Sequence, residues 1–403
     1  MSILKTVTLA LGVAALTVGQ GALAKNAPGV TDTSIKIGNT NPYSGPASSY
    51  STIGKSIGAY FKMINENGGV NGRKIDWISV DDGYSPPKTK EQFRKLIERE
   101  KVAFMFQSLG TPTNSAVHRY MNKKKVPQLF VATGATKWGD PKNFPWTMGF
   151  QPNYQTMGKI FGGYVMKNHP NGKIGILYQN DDYGKDYLVG LKAALGDKAS
   201  TMIVKEETYE VTDPTIDSQI VNLKASGANI FYNVSIPKFA AQAIKKSYDI
   251  GWKPVHLLND VSNSVASVLS PAGLDKSQGI LSAAYLKDPT DSAWKDDAEF
   301  KEWQAFMAKH YPEGDATNPF NGYGYAVASL MVHVLEKCGN DLSRENIMKQ
   351  AASIKDFRLK MALPGINVNT SADDFYPVEQ AQMMVFKGES WERFGDLISA
   401  DSL

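Results

Sequence analysis

"SIKIGNT" (residues 34–40) running into "NPYSGPASSY" (41–50) is the stretch that decides the fold. The β-branched run, bounded by Asp32 and Asn41, predicts a strand. Beyond it Ile53, Ile57, Phe61 and Ile64 recur at helical spacing, and "NGGVNG" (67–72) stops the helix. The loop between strand and helix has a rigid Pro-x-Ser-Gly-Pro turn, three serines and two tyrosines, but no Lys, Arg, His, Asp or Glu. A polar, uncharged, aromatic loop therefore sits at the mouth of a βα unit.

The same alternation continues outward. "KIDWISVDD" (74–82) reads as a second strand, and "SPPKTKEQFRKLIERE" (85–100) as a helix with Phe93, Leu96 and Ile97 on one face. "VAFMFQ" (102–107) is a third strand, a helix covers roughly 113–122, and "VPQLFV" (126–131) is a fourth strand. The series restarts after "NFPWTMGFQPN" (143–153), with strands at "KIGILYQ" (173–179), "TMIVKEETY" (201–209), "NIFYNV" (229–234) and "PVHLLND" (254–260) separated by helical stretches. A third section opens at "GILSAAYL" (279–286), is helix-rich, and ends in the hairpin-like "AQMMVFKGESWERF" (381–394), where "KGES" supplies turn chemistry. The fold class is α/β: parallel sheets with helices on both faces, arranged as two similar Rossmann-like lobes with no low-complexity linker between them.

Bulk composition fits that reading. The chain has 403 residues, 42% hydrophobic and 21% charged, enough for two or three domains. The net charge of +4 is spread along the chain, and its densest basic run, "NKKK" (122–125), has no interleaved aromatics. It reads as a solvated helix end, and no nucleic-acid partner is expected. Residues 1–24 differ from the rest. Lys5 precedes an apolar run from Val7 to Val18, and Ala22-Leu23-Ala24 gives small residues at −3 and −1. This predicts a signal peptide cleaved before Lys25, and hence a periplasmic protein. Cys338, the only cysteine, closes an apolar helix before a Gly-Asn stop and is expected to be a buried thiol.

Catalytic patterns are missing. The sequence has no G-x-S-x-G elbow, phosphate-binding P-loop, H-E-x-x-H or C-x-x-C, and its five histidines are scattered. His118 and His310 are expected on helix surfaces. "NGYGYAVA" (321–328) lacks the full dinucleotide spacing. Asp81-Asp82 and Asp181-Asp182 are adjacent pairs at strand ends that cap the loops after them; neighbours on a strand rarely share an ion. No enzyme activity, cofactor or metal is expected, and the protein is expected to be a monomer.

In open α/β sheets ligands sit outside the carboxyl ends of the strands, which points to "NPYSGPASSY", "QSLGTPTN" (107–114), "ATGATKWGD" (132–140), "QNDDYGKD" (179–186), "NVSIPK" (233–238) and "NDVSNS" (259–264). "SLGTPTN" suits an anion at a helix N-terminus, with a Gly for close approach, hydroxyls, and Pro112 near the first helical position. Tyr43, Tyr50 and Tyr183 can wall an apolar body, and Asp260 is the charged group best placed to pair with a ligand cation.

These residues also carry a family resemblance. "IKIG…PYSGP", "INENGGVNGRKI", "VDDGYSP", "VPQLFVATGAT" and "DDYGKDY", in this order, resemble the type I periplasmic binding proteins, and more closely the branched-chain amino-acid class of solute receptors for ABC importers. The resemblance implies three crossings between lobes, near Met148, Gly279 and Pro364, and closure by a hinge. Lobe one would combine 31–147 with 280–363, and lobe two 149–278 with 365–403. It places a stacking aromatic at Tyr50, a carboxylate grip at Gly110 and Thr111 with Ser108 nearby, and further contacts at Ala132 and Gly134. Because Gly134 stands where the family often has a Thr, Thr133 or Thr136 takes over that hydroxyl. Tyr183 matches the Tyr of the Y-G motif, Ser235 falls in the next lobe-two loop, and the acidic residue that holds an amino group matches Asp260 or its neighbour Asn259. The implied function is capture of a small carboxylate (an aliphatic or aromatic amino acid, or an aromatic acid) for a membrane permease and ATPase. Amides and urea-like solutes lie within the family's range. The alternative is a ligand sensor that signals to a membrane partner.

Overall fold

The computed structural model describes residues 26–400; the expected signal peptide and its cleavage site lie outside the described residues. Strands β1 (Ser34–Asn41), β2 (Lys74–Asp81), β3 (Phe104–Phe106), β4 (Gln128–Val131) and β5 (Thr147–Gly149) form one parallel sheet in the order β2-β1-β3-β4-β5. Strands β6 (Ile174–Gln179), β7 (Ile203–Tyr209), β8 (Ile230–Val234), β9 (Val255–Leu258) and β10 (Leu281–Ala284) build a second parallel run in the order β7-β6-β8-β9-β10. Both have their first strand between the second and third, so each lobe has a switch point between its first and third strands. An antiparallel extension, β11 (Gln380–Lys387) and β12 (Ser390–Arg393), adds to β10, and β13 (Ile398–Ser399) pairs with β11. The hairpin expected at "KGES" is thus β11–β12, turning through Gly388 at a φ of 61° that favours glycine.

Central strands buried on both faces explain the unbroken apolar runs. On β3, Phe104 and Phe106 join the main core, whereas Met105 points the other way and packs with Phe93, Leu96, Val117 and Met121 from the flanking helices. On the opposite face the helix Ser51–Glu66 packs against the helix Pro319–Cys338. Gly324 permits this approach, because a Cβ there would lie 2.9 Å from the Ile53 carbonyl. Ser56 Oγ donates to the Asn321 carbonyl across the same contact at 2.8 Å. Cys338, at the end of that helix, is buried.

The chain leaves the second sheet later than expected. The boundary at about residue 280 falls before β10, so 281–284 belongs with the second sheet and not with lobe one. Gly149 likewise still belongs to the first sheet, as the end of β5. Two connecting segments then run side by side: Lys287 N–H donates to the Met361 carbonyl at 2.7 Å, and Leu363 N–H to the Tyr285 carbonyl at 2.9 Å. His118 also departs from expectation. It is buried, stacked on Phe144 at 3.9 Å, and burial lowers its pKa to about 4.

Candidate functional site: a tyrosine-lined cleft between the lobes

The carboxyl ends of both sheets open onto one cavity of about 100 Å³. That is room for a small solute. Its wall draws on both lobes and on the segments joining them.

From lobe one, β1 leads through the serine-rich loop to a short turn, Ser48–Tyr50, that carries Tyr50 into the wall with its ring 5.1 Å from Phe320. Tyr50 Oη donates to the Val261 carbonyl of lobe two at 2.9 Å and so ties the two sides together. After β3 the chain turns at Gly110, with φ of 100°, to start the helix Thr111–Lys124 facing the cavity. Glycine is required here, since a Cβ would fall 2.4 Å from the Tyr84 ring. Thr111 Oγ1 lies 2.6 Å from Thr133 Oγ1, and Ala132 also lines the wall. From lobe two, Asp181 accepts from the N–H groups of Tyr183 (3.0 Å) and Gly184 (3.3 Å), capping the helix Asp182–Leu195 and setting Tyr183 in the wall. The loop after β9 supplies Asp260.

Of the residues expected from sequence, the structure brings Tyr50, Gly110, Thr111, Ala132, Tyr183 and Asp260 to the cavity. Five others stand outside its lining. Tyr43 turns its hydroxyl to Ser79 Oγ at 2.5 Å, and Ser108 is buried with an unpartnered hydroxyl. Thr133 is spent on Thr111 and on Trp138 Nε1, which donates to it at 3.2 Å, and Ser235 Oγ donates to Asn233. Gly134 acts through space it leaves free: a Cβ would lie 2.3 Å from the Pro152 carbonyl and 2.7 Å from the Tyr154 ring. Thr136 is likewise engaged elsewhere, its N–H donating to Asp186 at 2.7 Å.

Between Asn259 and Asp260 the geometry is unambiguous. Asn259 Nδ2 donates to the carbonyls of Asn233 and Ser235 at 3.0 Å each, and its Oδ1 accepts from Tyr183 Oη at 3.1 Å, so it is consumed by the framework. Asp260, only 8% exposed, lines the cavity. Tyr187 Oη donates to its Oδ1, while Oδ2 has no hydrogen-bond partner. Burial raises its carboxyl to about 6, with the Tyr187 hydrogen bond working in the opposite direction. Lys287 lines the same cavity, yet its ammonium is held by Asp297 at 2.6 Å and Glu299 at 2.8 Å.

Sequence reasoning missed most of the aromatic wall. Tyr84, Tyr154, Tyr285, Phe320 and Tyr323 join Tyr50 and Tyr183 around the cavity. Tyr323 lies inside "NGYGYAVA", a stretch that stood out for its glycines; its tyrosine was the useful feature.

The described residues contain no helix long and apolar enough to cross a membrane. A family model described as "Periplasmic binding protein" matches residues 34–389. Leu/Ile/Val-binding protein homolog 1 of Brucella suis biovar 1 (strain 1330) is 25% identical over 330 residues, covering 80% of this chain and 84% of the relative. Homolog 7 of Brucella abortus (strain 2308) is 24% identical over 398 residues, covering 95% and 94%. Among solved structures, a branched-chain amino acid ABC transporter protein from Thermus thermophilus with bound valine superposes with a TM-score of 0.82 at 16% identity, covering 92% of this chain and 97% of that one. A fatty acid ABC transporter substrate-binding protein from Thermomonospora curvata gives 0.77 at 22% identity, covering 94% and 97%. With the fold, the cleft and the match over residues 34–389 in agreement, the chain belongs to the periplasmic binding protein family.

Proposed function

We propose that this protein is an exported receptor that captures a small amine-bearing carboxylate between its lobes and hands it to an ABC-type permease. The observation that carries the reading is Asp260 Oδ2, a buried acceptor without a partner on the wall of the cavity. A buried polar atom left unpaired is costly, and a ligand ammonium would relieve that cost while favouring the ionised carboxylate. The helix that starts at Gly110–Thr111 suits the ligand's carboxylate, because its N-terminal N–H groups carry partial positive charge. The aromatic wall suits an apolar body. The valine-bound relative and the Leu/Ile/Val-binding homologues support an amino acid. Closure of the lobes about the paired segments at 285–287 and 361–363 belongs to the same reading.

A second reading, an amine-free aromatic or fatty acid, is favoured by the six tyrosines and Phe320 in the wall and by the fatty-acid neighbour. Calorimetry with wild type and Asp260→Ala separates them. The variant loses roughly 2–5 kcal/mol of affinity if the carboxylate holds an ammonium. Unchanged affinity points to the amine-free acid.

A further inference from the structure

The clamp at Asp260 depends on a residue that never reaches the cavity. Tyr187 is fully buried and is not part of the cavity wall, yet it touches three residues that are. Its ring stacks on Tyr154 at 4.8 Å, meets Tyr183 edge-on at 5.6 Å, and its hydroxyl donates to Asp260 Oδ1. One lone pair of Oδ1 is thereby occupied from behind, whereas Oδ2 is left with no partner at all.

The geometry assigns Tyr187 as the positioning residue that fixes the Asp260 carboxylate through Oδ1 and presents the unpartnered Oδ2, which favours a single ammonium over a forked guanidinium that seeks both oxygens. This assignment rests on the functional reading above for its ligand class, but not for the link between Tyr187 and Asp260. Among the described residues, five phenols couple to Asp260: Tyr50 from the turn before the first helix, Tyr154 and Tyr187 from two helices, Tyr232 from β8 and Tyr285 from the connecting segment. The same cavity is also lined by Lys287, held by Asp297 and Glu299, and by the buried Asp288, which accepts from Thr290. Burial raises each phenol, so the five stay neutral and none supplies a positive charge. Tyr187 is the only one of the five that hydrogen-bonds the carboxylate, and removing its hydroxyl withdraws a donor that favours the ionised form.

The test uses the mature chain and two variants. Tyr187→Phe keeps the ring and removes the hydroxyl; Tyr187→Leu removes both. In ligand-free protein labelled with ¹³C at the aspartate carboxyls, with Asp260→Asn assigning the resonance, Tyr187→Phe is expected to move the Asp260 titration midpoint upward by about one unit. Calorimetry with L-leucine and its Nα-amidino derivative reads specificity. Wild type is expected to prefer the ammonium at least tenfold, and Tyr187→Phe to bind L-leucine about tenfold more weakly with a narrowed preference. Tyr187→Leu should lower the melting temperature further than Tyr187→Phe, because it also removes the buried ring stacked on Tyr154. An unmoved Asp260 midpoint in Tyr187→Phe overturns the assignment, as does an unchanged preference between the two compounds. Because the titration needs no ligand, failure of both compounds to bind removes leucine as the ligand, and the midpoint alone then decides the role of Tyr187.

Discussion

Replacing Asp260 with Asn should stabilise the empty protein at neutral pH while removing its grip on an amine. The wild-type carboxyl has a folded-state pKa of about 6 against an ordinary 3.8, because burial disfavours its charge. A raised acid pKa means that the folded state holds the proton more tightly than the unfolded chain. Stability from this group is therefore fully present below pH 3.8 and is lost as pH rises towards and through about 6. The gap of about two units corresponds to roughly 3 kcal/mol at neutral pH, at 1.36 kcal/mol per unit. Asp181 and Asp288 are also raised to about 6 by burial, so the wild-type curve alone does not isolate Asp260; the difference between wild type and Asp260→Asn does. Urea denaturation of the ligand-free proteins from pH 4 to 8 should show the variant gaining on wild type as pH rises, levelling off above pH 7. Tyr187 Oη can still donate to the amide oxygen, so the packing behind the site is kept. Parallel pH profiles for the two proteins would refute the account of Asp260 as a charge held against burial.

Three further outcomes follow from the same geometry. Gly134→Ala drives a methyl into the Pro152 carbonyl and the Tyr154 ring, and should cost about 1–3 kcal/mol in denaturation and weaken ligand binding; a fully active, equally stable variant would show that this approach is not tight. Tyr50→Phe deletes the hydrogen bond to the Val261 carbonyl and should weaken ligand affinity by about 0.5–1.5 kcal/mol in calorimetry, through loss of a contact between the lobes. Cys338, buried and pushed up to about 12 mainly by desolvation, should resist a thiol reagent at pH 8 until denaturant is added.

The βα alternation was legible because its signals are local. Buried parallel strands such as β3 and β4 read as continuous apolar runs, and the helix Ser51–Glu66 shows its apolar face at regular spacing. The sheet to which "GILSAAYL" belongs was not legible. Its residues form a strand, but only pairing with Leu257 on one side and with Met383 and Met384 on the other places it in the second sheet. The site divides along the same line. Gly110, Thr111 and Asp260 were legible as cavity-wall residues because they follow strand ends, which face the cleft. Tyr285 and Tyr323 arrive from a connecting segment and from a helix start, far along the chain from the loops they face. Ser235 and Thr133 failed in the opposite way, since their hydroxyls suited a ligand but are consumed by Asn233, Thr111 and Trp138. Sequence gives the residue type at a strand end, and only packing decides which polar atoms remain free.

The central claim is that the cleft selects its solute through a charge pair at Asp260. The most direct test is calorimetry of the protein against matched pairs that differ only in the amine: L-leucine with 4-methylpentanoate, and L-phenylalanine with 3-phenylpropanoate. An amino acid is expected to bind at least a hundredfold more tightly than its deaminated partner, with the preference lost in Asp260→Ala. Equal or tighter binding of the amine-free acid would contradict it, and would leave the tyrosine wall as the source of selectivity.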